Sequence, residues 1–248
     1  MEISMETIQE IRKVFIDKYK SKDFEEDGNI ELLGASFVAD QPSIFGKPNE
    51  KYQQAELHWY NSQRCNTDKL QDIYGKVPAQ WERVANTKGN VNSNYGNLIY
   101  SALNGSQYDC AYRELKNNHK SRRATMIYQH PDMHQRHREH GKDDFVCTNA
   151  VTYYEKIGLL HAVVQMRSND VVFGYMNDYY WQLKVLERLA ADLELEVGGI
   201  IWQAQSLHMY PRHFKLIEDY LYIEGLRIEK AKPLDYAMET LDIGAYDG

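Results

Sequence analysis

Three cysteines among 248 residues, Cys65, Cys110 and Cys147, are too few and too irregularly spaced for a disulfide framework or a zinc knuckle. They suit a reducing compartment and individual thiols. Proline is scarce, six residues scattered singly, and no Gly/Ser-rich stretch or internal repeat divides the chain, so one domain over 1–248 is the expected organisation. No apolar run reaches the roughly 18 residues of a membrane span. The opening "MEISMETIQEIRKVF" lacks the apolar centre of a secretory signal. The expected location is the cytoplasm, with no membrane partner. A basic excess is missing too: 29 Lys and Arg against 36 Asp and Glu leave a formal charge of −7. That argues against direct DNA binding, yet a few local arginines can hold one phosphate inside an acidic protein.

What is present mixes two periods. "TIQEIRKVFIDKY" repeats apolar residues at helical spacing, and Thr7 and Glu10 are placed as a capping box. "YQQAELHWYNSQ", "YYWQLKVLERLAADL" and "RHFKLIEDYLYIEG" also read as helices. "IELLGASFV", interrupted at Gly34, "RATMIY", "FVCTNAVTYY", "HAVVQMRS" and "GGIIWQAQSLHMY" read as strands. The order is irregular and lacks a βαβ rhythm, which predicts α+β with a mixed sheet.

Residue by residue, the chemistry is open. Cys147 reads locally as a buried, inert thiol; as a nucleophile it would need a nearby cation, which Arg167 could supply if their strands pair. Arg122 and Arg123 precede a strand, where two guanidiniums are either solvated or chelate a phosphate. His208 and Tyr210 share one strand face by alternation, as a core pair or as sugar-hydroxyl ligands. "QHPDMHQRHREH" holds His130, His134, His137 and His140. No zinc-type partner set completes them, and a solvated loop is the expectation. Glu56, Tyr95 and Asp170 are singled out by neither period nor spacing.

In chain order, "GASFVAD…IFG", "AELHWY", "NSNYG", "SRR…MIY", "DFVCTN", "MRSNDVVFG…ND…W" and "SLHMYPRHF" resemble the thymidylate synthase superfamily, most closely its phage deoxycytidylate 5-hydroxymethylase branch. The histidine-rich stretch and the final "KAKPLDYAMETLDIGAYDG" fall outside the resemblance. It implies a large mixed sheet flanked by helices and a homodimer formed through the sheet. It also implies transfer of a one-carbon unit from 5,10-methylenetetrahydrofolate, the co-substrate, to a pyrimidine nucleotide, with no metal. Cys147 falls on the nucleophile, and Glu56 and Tyr95 on groups that order water and move protons. Arg167 and Ser168 fall on phosphate contacts, and Arg122 and Arg123 on arginines that reach the partner subunit's site. His208 and Tyr210 fall on sugar contacts, and Asp170 on a folate contact. The arginine that precedes an "SIFG"-like motif in ordinary thymidylate synthases falls on Ser36.

The resemblance also gives "RSNDVVFGYMND" a meaning. Four residues past Gly174 stands Asp178, where thymidylate synthases carry an asparagine. Uracil shows a carbonyl oxygen and an N–H, which an amide complements; cytosine shows an amino group and a bare nitrogen, which a carboxyl complements. Asp178 at that edge implies dCMP and a 5-hydroxymethyl product formed with water. A one-residue shift would place Asn177 there and imply methylation or hydroxymethylation of dUMP. Without the resemblance, Asn177-Asp178 reads as a helix cap. A non-catalytic nucleotide- or RNA-binding relative is a third reading.

Overall fold

The computed structural model describes residues 5–230. A two-residue strand β1 (Glu6–Thr7) runs directly into helix α1 (Ile8–Ser21). The boundary is sharp because the cap is reciprocal: the Glu10 N–H donates to the Thr7 hydroxyl at 3.4 Å, and the Thr7 N–H to the Glu10 carboxylate at 2.7 Å. Such a cap contributes about 1 kcal/mol. Ile8, Ile11, Phe15 and Ile16 then bury one face of the helix.

After strand β2 (Ile30–Val38), the chain forms α2 (Glu50–Asn61), α3 (Asp68–Tyr74), α4 (Ala79–Val84), α5 (Tyr95–Tyr100) and α6 (Gln107–Asn117). Strand β3 (Thr125–Ile127) and the single turn α7 (Met133–Arg136) follow. Then come β4 (Thr148–Lys156), β5 (Leu159–Met166), β6 (Asn169–Asp170), α8 (Phe173–Asp192), β7 (Glu196–Met209) and α9 (Phe214–Lys230).

The strands join in the order β1-β2-β7-β5-β4-β3, with β6 pairing β7 beside this path. β5 and β7 run parallel and the other main pairs antiparallel, apart from β1 on β2, so the sheet is mixed as expected. A parallel pair needs a long crossover, and α8 supplies it. Its Trp181, Val185, Leu186, Leu189 and Ala190 are buried. Beneath them the sheet alternates: Leu160, Ala162, Val164 and Met166 face inward on β5, and Ile200, Trp202 and Ala204 on β7.

The opposite sheet face is open. Leu33 is 79% exposed there. Ser36 pairs with Gln203 in the middle of β2, and both line a shallow hollow with Asn149 and Gln165. Ser36, on which the family arginine falls by resemblance, is thus an exposed residue inside a strand. Two expectations change. The helix after the "SND" motif begins at Phe173, so Asn177 and Asp178 lie in its second turn and cap nothing. The histidine-rich stretch is not simply a solvated loop, because His134 and His137 set their rings edge-on against Phe145, each at 5.2 Å.

Candidate active site

Cys147 ends the segment that leads into β4, and the Arg167 N–H donates to its carbonyl at 2.9 Å, extending the β4–β5 pairing to the pair that the sequence left conditional. The Arg167 side chain folds back over the same segment. Its Nε donates to the Val146 carbonyl at 3.0 Å and its Nη2 to the Phe145 carbonyl at 2.7 Å, while the guanidinium sits 4.7 Å from the Phe145 ring centroid. That fixes the cation 3.5 Å from the Cys147 sulfur. Burial pushes the thiol up to about 11; Arg167 opposes the rise, and Asp178 and Asp144 add to it. Ser168 follows, half-buried at the turn into β6.

Asp170 caps α8. Its carboxylate accepts from the N–H groups of Val172 at 3.2 Å, Phe173 at 2.8 Å and Gly174 at 3.1 Å. With the helix started there, its second turn brings Asp178 back over β6, where the Asn169 amide donates to the Asp178 carboxylate at 2.9 Å. The Tyr95 hydroxyl is a second partner. Asp178 retains some accessible surface, as does Cys147. Both nevertheless lie deep in the protein. Burial, then the charge of Glu56, raises the Asp178 carboxyl well above the usual range. Asp178, not Asn177, is therefore the side chain tied into the cluster around the thiol.

Glu56 and Tyr95 meet that cluster from the helical layer. On α2, Tyr52 and Glu56 are one turn apart, and the Tyr52 hydroxyl donates to Glu56 at 2.5 Å. The Trp81 indole donates to the same hydroxyl at 2.9 Å. Glu56 is only 5% exposed, and burial pushes it up to about 7 against hydrogen bonds from Tyr52, Trp81 and Tyr60. Tyr95 opens α5 and stacks on Tyr60 with centroids 5.2 Å apart. Glycine permits this approach: a Cβ on Gly96 would stand 1.8 Å from the Tyr60 carbonyl oxygen.

At the end of β7, His208 and Tyr210 share a face as alternation predicts, ring centroids 5.0 Å apart. Tyr210 carries the Arg212 guanidinium over its ring at 4.1 Å, and its phenol also feels Asp170, Arg83 and Cys147. Arg122 and Arg123 stand elsewhere, exposed ahead of β3, where Arg123 pairs with Glu114 at 2.9 Å. Among the described residues, nothing within one chain brings either to the thiol.

Sequence reading missed Asn169, Tyr52, Tyr60, Trp81 and Arg83. Only the Tyr52–Glu56 spacing on a predicted helix carried a local signal; the others are brought in by chain segments distant in sequence. No group of three or more His, Cys, Asp or Glu side chains is arranged to hold a metal among the described residues.

The thymidylate synthase family model matches residues 47–247, a span that holds every site residue discussed above. The chain belongs to the thymidylate synthase family. It is 46% identical to the deoxycytidylate 5-hydroxymethyltransferase of Enterobacteria phage T4 over 86% of this chain and 89% of that protein. It is 30% identical to the thymidylate synthase of Bacillus subtilis subsp. natto over 54% of this chain and 48% of that one. Among solved structures, thymidylate synthase A from Bacillus subtilis shares the fold with a TM-score of 0.64 at 22% identity, covering 86% of this chain and 83% of that one. For this family member the mixed sheet and its helical cover are thus parts of one shared architecture. The match also takes in the histidine-rich stretch and all but the last residue of "KAKPLDYAMETLDIGAYDG", which the sequence reading left outside the resemblance; of these, residues 231–247 lie outside the described residues.

Proposed function

We propose that the chain transfers a one-carbon unit from 5,10-methylenetetrahydrofolate to carbon 5 of dCMP with addition of water, giving 5-hydroxymethyl-dCMP. The observation that carries this reading is the carboxyl of Asp178, deep beside Cys147 and raised above its usual range, in a chain 46% identical to a deoxycytidylate 5-hydroxymethyltransferase. A carboxyl that keeps its proton donates it to the bare ring nitrogen of cytosine while its other oxygen accepts from the amino group. The Cys147 sulfur adds to ring carbon 6 and its own proton leaves to solvent. The displaced electron pair moves toward the ring nitrogen, where the Asp178 proton is bound more tightly in the adduct than in free substrate. That interaction strengthens along the reaction, so it contributes to rate as well as to choice of base.

Carbon 5, made electron-rich by that addition, takes up the methylene that the folate supplies and loses its hydrogen as a proton. The folate nitrogen then leaves the methylene, water adds to it, and the bond between carbon 6 and the Cys147 sulfur breaks to restore the ring. Glu56, at about 7, is poised to release and take up protons near neutrality and so to deliver water to the exocyclic carbon. Tyr95 orients the proton path between Asp178 and Thr148. The surroundings of Tyr210 fit a flat, anionic folate: aromatic faces from Tyr210 and Phe173, with the guanidiniums of Arg83 and Arg212 nearby. Asp170 would meet the folate with oxygen lone pairs left over from capping α8.

Arg167 and Ser168 are assigned to the nucleotide phosphate, and His208 and Tyr210 to its sugar. Arg122 and Arg123 reach the site of a second copy across a homodimer formed through the open sheet face. The chain then acts as one domain over 1–248 in the cytoplasm. Incubation with dCMP and methylenetetrahydrofolate, read by product mass, tests the reading: one added CH₂O on the base is expected, and an unmodified base overturns it. A methylated base from dUMP would instead favour the thymidylate synthase activity.

A further inference from the structure

A cavity of about 670 Å³ is lined by residues of the stretches 86–104 and 130–142, with Cys65. None of Cys147, Arg167, Asp178, Glu56, His208 or Tyr210 lines it. Its volume falls within the range of small-molecule sites. It would hold about twenty waters at roughly 30 Å³ each, several times what a lone phosphate ion needs.

The lining has one sign of charge. Lys88, Arg136 and Lys142 contribute to it, and no carboxylate does, in a chain whose net charge is −7. The acids nearby are engaged elsewhere or weakly. Asp144 is 6% exposed and its carboxylate accepts from the Ser93 hydroxyl at 2.6 Å, the Ser93 N–H at 2.7 Å and the Asn92 N–H at 2.6 Å. Asp132 stands 3.6 Å from Arg136. Lys142 donates at 2.5 Å to a neutral acceptor, the Asn92 side-chain oxygen, which leaves two ammonium hydrogens for a ligand.

Five asparagines complete the wall; the NH₂ groups of Asn92, Asn97 and Asn104 donate within the protein, whereas, among the described residues, those of Asn86 and Asn90 do not. The side-chain oxygen of Asn86 accepts from the N–H groups of Lys88 and Asn90, both at 3.0 Å. Its NH₂ end is thereby turned outward as a donor. The Asn90 side-chain oxygen likewise faces Asn66, at 3.4 Å. Neither NH₂ group has a partner among the described residues. Cations and free amide donors converging without a carboxylate are what phosphate oxygens require. Amides that both donate and accept suit the edges of a sugar and base.

We propose that this cavity is a second ligand site, separate from the catalytic cleft, which binds a nucleoside polyphosphate with its phosphates on Lys88, Arg136 and Lys142. Binding is measured by calorimetry on the full chain with the catalytic cleft saturated by dCMP, and again in Arg167→Ala, using ATP, dCTP and inorganic pyrophosphate as probes. At least one triphosphate is expected to bind saturably with a Kd below about 1 mM and more tightly than pyrophosphate. Lys88 is exposed, so Lys88→Glu leaves the fold intact; it should weaken that binding about tenfold or more while kcat/KM for dCMP is unchanged. Arg136→Ala should weaken it as well. Absence of saturable binding by all three probes overturns the proposal, as does binding that both variants leave untouched. Equal affinity for pyrophosphate and the triphosphates overturns the nucleoside part of it.

Discussion

The side-chain amide of Asn169 donates to the Asp178 carboxylate at 2.9 Å, and this bond decides what residue 178 can offer to the cleft. One carboxyl oxygen accepts from Asn169 and keeps a second lone pair for the amino group of the base. The proton that burial retains on Asp178 then belongs to the other oxygen, which is free to face a base. An asparagine at 178 carries no acidic proton for the ring nitrogen; with its oxygen set on the ring N–H of uracil, it turns its NH₂ toward the neighbouring exocyclic group. That NH₂ repels the amino edge of cytosine and complements the carbonyl of uracil. Asp178→Asn should therefore lower kcat/KM for dCMP by about 10²- to 10⁴-fold and raise it for dUMP. Steady-state kinetics with both nucleotides checks this; unchanged selectivity would remove residue 178 from the base-reading role.

Glu56 makes stability depend on pH with a definite sign. Its carboxyl rises from the ordinary 4.5 to about 7 in the folded chain, so the native state holds the proton more tightly than the unfolded state. Its contribution is complete below about pH 4.5 and is lost as pH rises through about 7. The size is about 3 kcal/mol, taking roughly 1.4 kcal/mol per unit. Asp178, raised in the same direction, adds to the slope. Urea midpoints should fall between pH 5 and pH 8 in the wild type, and the fall should be smaller in Glu56→Gln. An equal fall in the two proteins would mean that Glu56 does not hold its proton.

The outer architecture was legible in the sequence because it rests on local periods. α1 begins at the capping box that Thr7 and Glu10 predict, and β4, β5 and β7 lie where β-branched alternation placed them. The short helices α3, α4 and α5 were not legible, since six or seven residues give too few turns for a period to emerge. The site divides along the same line. Cys147 and Arg167 are neighbours through strand pairing, which alternation could anticipate. Tyr95 reaches Asp178 only because Gly96 lets α5 approach the end of α2, a tertiary contact with no local signature. The capping assignment for Asn177-Asp178 failed because Asp170, earlier in the chain, already does that work.

The thiol should be sluggish in the free protein. With Cys147 at about 11, only about one sulfur in a thousand is ionised at pH 8. Its alkylation by iodoacetamide should accelerate about tenfold per pH unit between pH 7 and pH 9, without a plateau in that range. Arg167→Ala removes the cation 3.5 Å from the sulfur and should slow alkylation further at every pH, because the remaining influences all raise the thiol. Mass-spectrometric rates at Cys147, with the exposed Cys110 as internal reference, measure the effect. A faster variant would show that Arg167 shields the sulfur rather than stabilising its charge.

Arg122 and Arg123 stand exposed ahead of β3, at the far end of the strand order from β1, and contribute nothing to their own chain's thiol cluster. If they serve a second copy, catalysis needs Cys147 from one chain and the arginine pair from the other. Cys147→Ala homodimers then lack every nucleophile, while Arg122→Ala/Arg123→Ala homodimers lack every transferred guanidinium. Refolding the two variants together at equal concentration makes half of the dimers mixed. One of the two sites in each mixed dimer has both its own thiol and its partner's arginines. Activity should therefore recover to about a quarter of wild type by random pairing in a two-fold dimer. Recovery absent from dimers shown by native mass spectrometry to have mixed would confine the arginines to the surface of their own chain.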